Sequence, residues 1–500
     1  MIKRRASSGR FVLLNLDESS GHPLYRQVYA AVRSRILEGV LNPGAPLPST
    51  RELARDLSVS RSTVILAYEQ LRAEGYVEGR MGAATRVSAS LPDRHVRANP
   101  AAEARAAGVH RGVASGRSRA VLSVPRALSV LGQPPRAFRV AVPAVDLFPV
   151  DTWGRIIARR WRRTPARALA YGEPFGYRPL REAVAGYLAS ARGVRCTADQ
   201  VMIVNGSQEA LDLTCRVTLD PGDTAWLEDP GYFGARGALE AAGARIAHVP
   251  VDEEGLSVVH GAREAPDAKL AFVTPARHLP LGVTMSLARR LQLVEWARTS
   301  GAWILEDDYD SEFRYSGRPI AALQGLDPSG AVIYTGTFSK VLFPSLRIGY
   351  VVVPSALVDA FGAMKQFLSY ASPYLEQAVL ADFITEGHFE RHVRRTRAVY
   401  QERQQLLVEL ARSELAGRLS VPPSDAGMTL VGWLPRSASD TGVANAARAR
   451  GVDVLPLSSF SIRRIPPGLL LGYAGVRDEE IREGVTGLAR ALDDAVRATA

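Results

Sequence analysis

Apolar residues recur every three or four positions near the N terminus and predict three short helices followed by a β-hairpin. The first pattern begins at Leu24 and stops before Gly39. The second and third patterns begin after Ser49 and Ser60, two residues that suit helix N-caps. Residues 76–87 then read as two short strands around a glycine-containing turn. Three helices and a hairpin predict a winged helix over residues 20–88.

Downstream, the pattern predicts a linker and then a larger domain. Residues 89–133 are rich in Ala, Arg, Ser, Gly and Pro and show no apolar period, so we expect a linker that is part helical or disordered. Over residues 134–495, long helical patterns alternate with short apolar strands. Such alternation is typical of an α/β domain with a buried, mostly parallel sheet.

Charge is distributed unevenly along the 500 residues. The net charge is +11, and residues 1–140 hold 22 Lys and Arg against 10 Asp and Glu, so the rest of the chain is close to neutral. A basic excess confined to one segment fits a nucleic-acid footprint, although a solvated Arg-rich surface gives the same count. No uncharged apolar stretch reaches the length of about 18 residues that a membrane span needs, and no signal peptide is apparent, so we expect a cytoplasmic protein. The two cysteines, Cys196 and Cys215, are too few for a disulfide framework and lack metal-ligand spacing, and we expect no metal site.

Arginines and short hydroxyl side chains cluster where a helix-turn-helix contacts DNA. Arg51 begins the second predicted helix, and Ser60, Arg61, Ser62 and Thr63 lie at the start of the third. At that end of a recognition helix, hydroxyls and a long bidentate donor meet the major groove. The same serines also suit caps, and the arginines also suit a solvated surface, so sequence position alone leaves both interpretations open.

The order of these residues resembles the GntR family of winged-helix repressors and activators. The strings that carry the resemblance are residues 23–27, 47–54, 59–64 and 71–77. The resemblance implies DNA contacts from five residues. These are Arg51, Ser60, Arg61, Ser62 and, in the wing, Gly82. The wing departs mildly from the family, because alanine stands where a second glycine is common.

Residues suited to an aldehyde cofactor follow strands of the predicted sheet. Lys340 lies in a small-residue turn after an apolar strand, and Arg347 follows it. Asp307 ends another apolar strand, at the edge where open α/β sheets bind ligands, and Tyr309 comes just after it. A carboxylate there keeps a pyridine nitrogen protonated, and residues 205–208 form a strand-to-helix turn whose N–H groups suit an anion. A solvated lysine and an acidic helix cap are the plainer alternatives.

Together these residues resemble fold-type I aminotransferases and, across the second domain, the aminotransferase-like half of MocR regulators, which are GntR proteins with this domain appended. The strings that carry the resemblance are residues 171–181, 228–232, 306–315 and 338–347. The resemblance implies a bound pyridoxal 5'-phosphate in a Schiff base with Lys340. It also implies a homodimer, because Tyr171 would reach the phosphate held by the partner subunit. The other implied cofactor contacts are Gly206, Ser207, Gln208, Tyr232, Asp307, Tyr309, Thr337, Ser339 and Arg347.

Two departures from the aminotransferase pattern concern the ligand. Residues 274–280 read Thr-Pro-Ala-Arg-His-Leu-Pro where these regulators commonly have Thr-Pro-Ser-His-Gln, so His278 is either a pocket donor or a loop side chain. Leu470 stands where aminotransferases place the arginine that binds the substrate α-carboxylate. Arg236 and Arg277 are the candidates to replace that arginine.

The sequence therefore predicts a regulator that binds double-stranded DNA and senses the cofactor or a small amine. An active aminotransferase with an attached DNA-binding domain is the alternative, and Leu470 disfavours it because an arginine fork is the usual carboxylate anchor. A scaffold without cofactor is disfavoured by the joint presence of Lys340, Asp307, Tyr309 and Arg347. We expect no turnover of ordinary α-amino acids. The effector, the operator and the sign of regulation stay open.

Overall fold

The computed structural model describes residues 16, 21–79, 84–91, 114–125, 136–317 and 321–499. The chain divides into two compact units, residues 1–113 and 114–500. No helix within the described ranges is both long enough and apolar enough to cross a membrane.

The N-terminal unit is a winged helix, as the sequence predicts. Its elements are α1 (Leu24–Leu37), α2 (Thr50–Asp56), α3 (Arg61–Ala73), β1 (Val77–Glu78) and β2 (Arg86–Val87). Apolar residues of α1 pack with those of α2 and α3, and β1 pairs antiparallel with β2. A capping box begins α2, because Ser49 and Glu52 each accept a hydrogen bond from the other's backbone N–H. Ser58, in the turn before α3, takes a left-handed conformation with φ of 52°.

The second unit is built on an eight-stranded mixed sheet. Its strands are β3 (Val201–Val204), β4 (Thr224–Asp229), β5 (Arg245–Asp252), β6 (Gly255–Leu256), β7 (Leu270–Val273), β8 (Trp303–Asp308), β9 (Val332–Thr337) and β10 (Gly349–Val352). The order is β3-β10-β9-β8-β7-β4-β5-β6. The run from β9 to β5 is parallel, whereas β10 is antiparallel to both of its neighbours. The mostly parallel sheet is therefore confirmed, and β4, β7, β8 and β9 all end at one edge.

Helices cover this sheet and extend into a smaller subdomain. They are α4 (Gly116–Ser123), α5 (Val150–Arg162), α6 (Arg178–Arg192), α7 (Ser207–Thr218), α8 (Phe233–Ala242), α9 (Val258–Glu264), α10 (Leu287–Ser300), α11 (Leu323–Leu326), α12 (Val358–Leu368), α13 (Tyr374–Thr385), α14 (His388–Glu414), α15 (Asp440–Ala449) and α16 (Asp478–Thr499). Helix α4 falls within the interval expected to be a linker, and it packs against α8.

The C-terminal subdomain contains a three-stranded antiparallel sheet. Its strands are β11 (Thr429–Trp433), β12 (Leu455–Pro456) and β13 (Gly468–Gly472), with β13 in the centre. Because side chains alternate along a strand, Leu469 and Leu471 join the main core while Leu470 joins a separate apolar cluster on the other face.

Candidate functional site

Lys340 lies three residues beyond the end of β9, at the edge of the sheet where the parallel strands end. Its Nζ donates a hydrogen bond to the carbonyl oxygen of Ala141 at 3.1 Å. Ala141 takes a left-handed backbone conformation with φ of 68°, which costs a residue with a Cβ about 1–2 kcal/mol. The Lys340 amine is therefore held against the carbonyl of a residue with a strained backbone conformation.

The charges around Lys340 leave it more readily deprotonated than an ordinary lysine. Burial and the Arg347 guanidinium lower its pKa to about 8, against the opposing effect of Asp307 and Asp310. Burial and the neighbouring Asp308 raise the pKa of Asp307 to about 7. A lysine that loses its proton near neutral pH is suited to act as a nucleophile.

Three buried polar atoms beside Lys340 have no hydrogen-bond partner among the described residues. They are Oδ1 of Asp307, the hydroxyl of Tyr309 and Oγ of Ser339. Asp308, on the opposite face of β8, accepts hydrogen bonds from Arg192 and Tyr334 through its Oδ2 atom, while its Oδ1 atom also has no partner among these residues. Because buried polar atoms in folded proteins nearly always have a partner, and the first three lie at the edge where β8 and β9 end, they are suited to contact a polar ligand.

An anion cradle lies at the N terminus of α7. Arg347 donates from Nη2 to the carbonyl oxygen of Asn205 at 2.7 Å, and Gly206 precedes the helix with φ of 92°. A Cβ built at Gly206 would lie 2.8 Å from Nη2 of Arg347, so the guanidinium needs the glycine. Ser207 and Gln208 follow in the first helical turn, where free backbone N–H groups favour anions.

The remaining predicted contacts are distributed around this edge. Thr337 ends β9 and accepts a hydrogen bond from the Ser339 backbone N–H at 3.1 Å. Tyr232 precedes α8, and burial and Asp307 raise its pKa to about 12 while Arg347 opposes them. Tyr171 has 88% of its surface exposed, and its ring lies 4.9 Å from that of Tyr370. The structure brings the predicted residues to one edge, with Tyr171 on an exposed surface.

The unusual loop 274–280 uses its polar side chains to hold backbone. His278 bonds the Pro230 carbonyl at 2.9 Å through Nε2 and accepts from the Leu281 N–H through Nδ1, and burial lowers its pKa to about 3. Arg277 donates from Nε to the Ala426 carbonyl and from Nη2 to the Thr429 carbonyl. Of the two interpretations of His278, the loop side chain is the one that these bonds favour.

A buried ion pair supports the anion cradle, and the sequence did not point to it. Glu209, in the first turn of α7, accepts hydrogen bonds from the Asn205 N–H at 2.5 Å and from Lys365 Nζ at 2.8 Å. Burial opposes its ionisation, but these bonds and one from Ser369 lower the pKa of Glu209. A lysine on the mostly apolar helix α12 was the available signal.

In the N-terminal unit, the predicted DNA contacts gather at the start of α3. Ser60 caps the helix by accepting from the Thr63 N–H at 3.1 Å, and its hydroxyl lies 2.7 Å from that of Ser62. Arg61 is exposed and its Nε lies 3.4 Å from the hydroxyl of Thr50. Arg51 is exposed on α2. Gly82 lies outside the described residues.

Comparisons with known proteins agree with both units. The model of the aminotransferase class I and II family matches residues 148–488, and the model of the gntR family of bacterial regulatory proteins matches residues 24–87. The chain is 42% identical over 482 residues to the probable rhizopine catabolism regulatory protein MocR of Rhizobium meliloti, covering 96% of each chain. It is 30% identical to the HTH-type pyridoxine biosynthesis transcriptional regulator PdxR of Corynebacterium glutamicum, covering 94% of this chain and 95% of PdxR.

Among solved structures, the chain resembles LysN, an alpha-aminoadipate aminotransferase of Thermus thermophilus complexed with N-(5'-phosphopyridoxyl)-L-leucine. The match has a TM-score of 0.70 and 29% identity, and it covers 77% of this chain and 98% of LysN. The chain therefore belongs to the MocR subfamily of GntR transcriptional regulators, in which a DNA-binding winged helix-turn-helix is joined to a fold-type I aminotransferase-like domain.

Proposed function

We propose that the aminotransferase-like domain binds pyridoxal 5'-phosphate covalently through Lys340. The observation that carries this proposal is a lysine of lowered pKa beside the unpartnered buried atoms of Asp307, Tyr309 and Ser339. Asp307 would face the pyridine nitrogen, and Tyr309 would donate to the ring oxygen. The cofactor supplies an electrophilic aldehyde carbon when bound. The structure of LysN with a phosphopyridoxyl compound supports the same assignment by analogy.

In this proposal the phosphate lies in the cradle at α7. Thr337, Ser339 and Arg347 would bind it together with the backbone of residues 206–208, and Tyr232 would pack on the ring. The positive end of the helix and the guanidinium both favour a dianion there.

The chain contains few lysines, which leaves few candidates for the covalent bond to the cofactor. The whole sequence holds four lysines, at positions 3, 269, 340 and 365. Lys365 is bound to Glu209, and Lys269 is exposed immediately before β7. Only Lys340 is shown to combine a lowered pKa of about 8 with a place beside Asp307, among the residues that the structure describes.

We further propose that the protein acts on its operator as a homodimer. The recognition surface would be Arg51 with the start of α3 at Ser60, Arg61, Ser62 and Thr63, and Gly82 would add a wing contact. In the second unit, Tyr171 would complete the partner's phosphate site, and several large apolar side chains of this unit are exposed. These side chains are Val150, Trp161, Leu169 and Phe367. We propose residues 20–88 as the DNA-binding domain, residues 89–133 as the linker and residues 134–495 as the effector domain.

The experiment that tests cofactor binding compares wild-type protein with Lys340→Ala and, as a matched control, Lys269→Ala. Each protein is incubated with pyridoxal 5'-phosphate, reduced with borohydride and digested, and the modified peptide is located by mass spectrometry. We expect modification of the peptide that contains Lys340 in wild type and in the control, and none in Lys340→Ala. Stoichiometric modification of another lysine in wild type would refute the assignment. Mobility shifts with the protein's own upstream DNA, with and without cofactor, then test whether cofactor binding alters operator affinity.

A further inference from the structure

A buried ion pair lies on the face of β8 opposite Asp307. Asp307 and Asp308 are consecutive at the end of this strand, so their side chains point to opposite faces of the sheet. Oδ2 of Asp308 accepts hydrogen bonds from Nε and Nη2 of Arg192, at 2.8 and 2.5 Å. The Asp308 and Arg192 side chains are only 2% and 7% exposed, so salt screens the pair little. The proposed cofactor contact and this pair are therefore joined through one peptide bond.

The pair connects three elements around the proposed cofactor site. Arg192 is the last residue of α6, and Tyr334 of the neighbouring strand β9 donates to the same Oδ2 atom of Asp308 at 2.7 Å. Strand β9 runs parallel to β8 and leads to Lys340. Because Asp308 is bonded from both sides, the end of β8 is fixed relative to α6 and β9. Asp307 precedes Asp308 and shares that fixed backbone.

Acidic side chains are concentrated where β8 ends. Residues 307–312 contain four carboxylates, at Asp307, Asp308, Asp310 and Glu312. Neighbouring anions disfavour each other's ionisation, and burial adds to the effect. After the larger effect of burial, Asp308 raises the pKa of Asp307, and Lys340 opposes both. A charged Asp307 therefore depends on how the charge of Asp308 is compensated.

Arg192 supplies that compensation. Burial lowers the pKa of Arg192, but Asp308 and further acidic groups raise it by more, so its guanidinium stays charged. Arg277 lies beside a different carboxylate, with its Nε 3.7 Å from that of Asp310. Arg290, also buried, donates to three backbone carbonyls. Without Arg192, the charge of Asp308 would act unopposed on its neighbour at the cofactor site.

We propose that Arg192 is a positioning residue for the cofactor: its pair with Asp308 fixes the end of β8 and offsets the charge of Asp308, so that Asp307 meets the pyridine nitrogen as a carboxylate. The inference rests on the proposed function, in which Asp307 faces that nitrogen. It goes beyond that function by assigning the charge state of Asp307 to a pair on the other face of the strand, outside the set of cofactor contacts.

The test compares two probes, pyridoxal 5'-phosphate and 1-deazapyridoxal 5'-phosphate, in which a C–H group replaces the ring nitrogen. Both carry the same aldehyde and phosphate, so the ratio of their dissociation constants reports the contact of the ring nitrogen. Equilibrium dialysis at about pH 7.5 supplies both constants. We expect wild-type protein to bind pyridoxal 5'-phosphate at least about tenfold more tightly, because only this probe forms a charge-assisted hydrogen bond with Asp307. Arg192→Gln should reduce the ratio to about threefold or less, because the uncompensated charge of Asp308 favours the neutral form of Asp307.

Two further variants separate this role from a purely structural one. Arg403→Gln is the matched control, because Arg403 is buried to the same degree as Arg192 (5% against 6% exposed) and donates to the Ala474 carbonyl. It should leave the ratio within about twofold of wild type. Adding Asp308→Asn to Arg192→Gln removes both charges of the pair and should restore the ratio to within about threefold of wild type, which loss of structure alone would not allow.

If Arg192→Gln does not fold, Asp308→Asn decides the question. It removes an anion that raises the pKa of Asp307, so the pH at which the ratio is half-maximal should fall below that of wild type. Equal ratios in wild type and Arg192→Gln, no restoration in the double variant, or a midpoint that Asp308→Asn does not lower would overturn this inference while cofactor binding through Lys340 stands. Cofactor binding that does not depend on Lys340 would overturn the proposed function and this inference together.

Discussion

Lys340 should react with pyridoxal 5'-phosphate with a pH midpoint near its lowered pKa of about 8. Only the neutral amine attacks an aldehyde, so the rate follows the deprotonated fraction. At pH 7 that fraction is roughly one tenth for a pKa of about 8, against roughly 0.03% for the ordinary lysine value of 10.5. The surroundings of Lys340 therefore supply about 300-fold more reactive amine at this pH.

The assay mixes cofactor-free protein with pyridoxal 5'-phosphate between about pH 6 and about pH 10, extends the reference amine to about pH 12, and follows the initial rise of the bound-cofactor absorbance. Free Nα-acetyl-lysine serves as the reference, because its profile contains the cofactor's own protonation changes and none of the protein's. We expect the protein's midpoint to lie at least about two pH units below that reference.

Two variants test the cause of the shift. Arg347→Met removes a cation that lowers the Lys340 pKa, so the midpoint should rise, whereas Asp307→Asn removes an anion that raises this pKa, so the midpoint should fall. Under the proposed function both changes should also weaken cofactor binding, but only the electrostatic explanation moves the midpoints in opposite directions. A wild-type midpoint equal to that of the reference, or shifts of the same sign in both variants, would refute this reasoning.

Three other predictions concern the described contacts. Arg61→Ala should weaken operator binding by about 1–3 kcal/mol. The control is Arg72→Ala, at the exposed arginine in the last turn of α3, which should change the binding free energy by less than about 0.5 kcal/mol. Equal losses for the two variants in a mobility-shift titration would contradict this prediction. Gly206→Ala should weaken cofactor binding far more than Gly222→Ala. Both glycines have a similar positive φ (92° and 95°), but only a Cβ at position 206 would crowd Arg347. Equal dissociation constants of the two variants for the cofactor would exclude this explanation. Lys365→Met should lower the free energy of unfolding by about 3 kcal/mol, because it leaves Glu209 buried without its cation. Adding Glu209→Gln to the Lys365→Met variant should restore part of this lost stability. If the two single losses measured by urea unfolding are strictly additive in the double variant, the pair is not coupled.

The elements of the fold were predictable because their signals are local. Caps such as Ser49 and Ser60, and the apolar periods that follow them, depend on neighbours a few residues away. The sheet was predictable as a class for a similar reason, since buried parallel strands appear as short apolar runs. Helix α4 was not separable from the linker, because none of its own residues is buried and its sequence carries no apolar stripe.

The site was predictable where its residues follow strand ends. Lys340 and Asp307 each come at or just after a strand, and the carboxyl ends of adjacent parallel strands meet at one edge. The support for the cradle was not predictable in this way. Glu209 and Lys365 lie more than 150 residues apart, and their pairing depends on how α12 packs on α7. No local pattern encodes that packing.

Arg277 shows why a departure from a family pattern is hard to interpret from its own position. In the sequence it stands in a loop beside the expected cofactor ring, where a free guanidinium would serve as a carboxylate anchor. In the structure its guanidinium fills the space above Gly427, which has φ of 94° and where a Cβ would lie 1.7 Å from the Arg277 Nε. The arginine in this position therefore requires a glycine at 427, and its hydrogen bond to Thr429 joins the loop after β7 to the start of β11. The role of Arg277 therefore depends on Gly427, which is 150 residues away and whose local sequence does not indicate this contact.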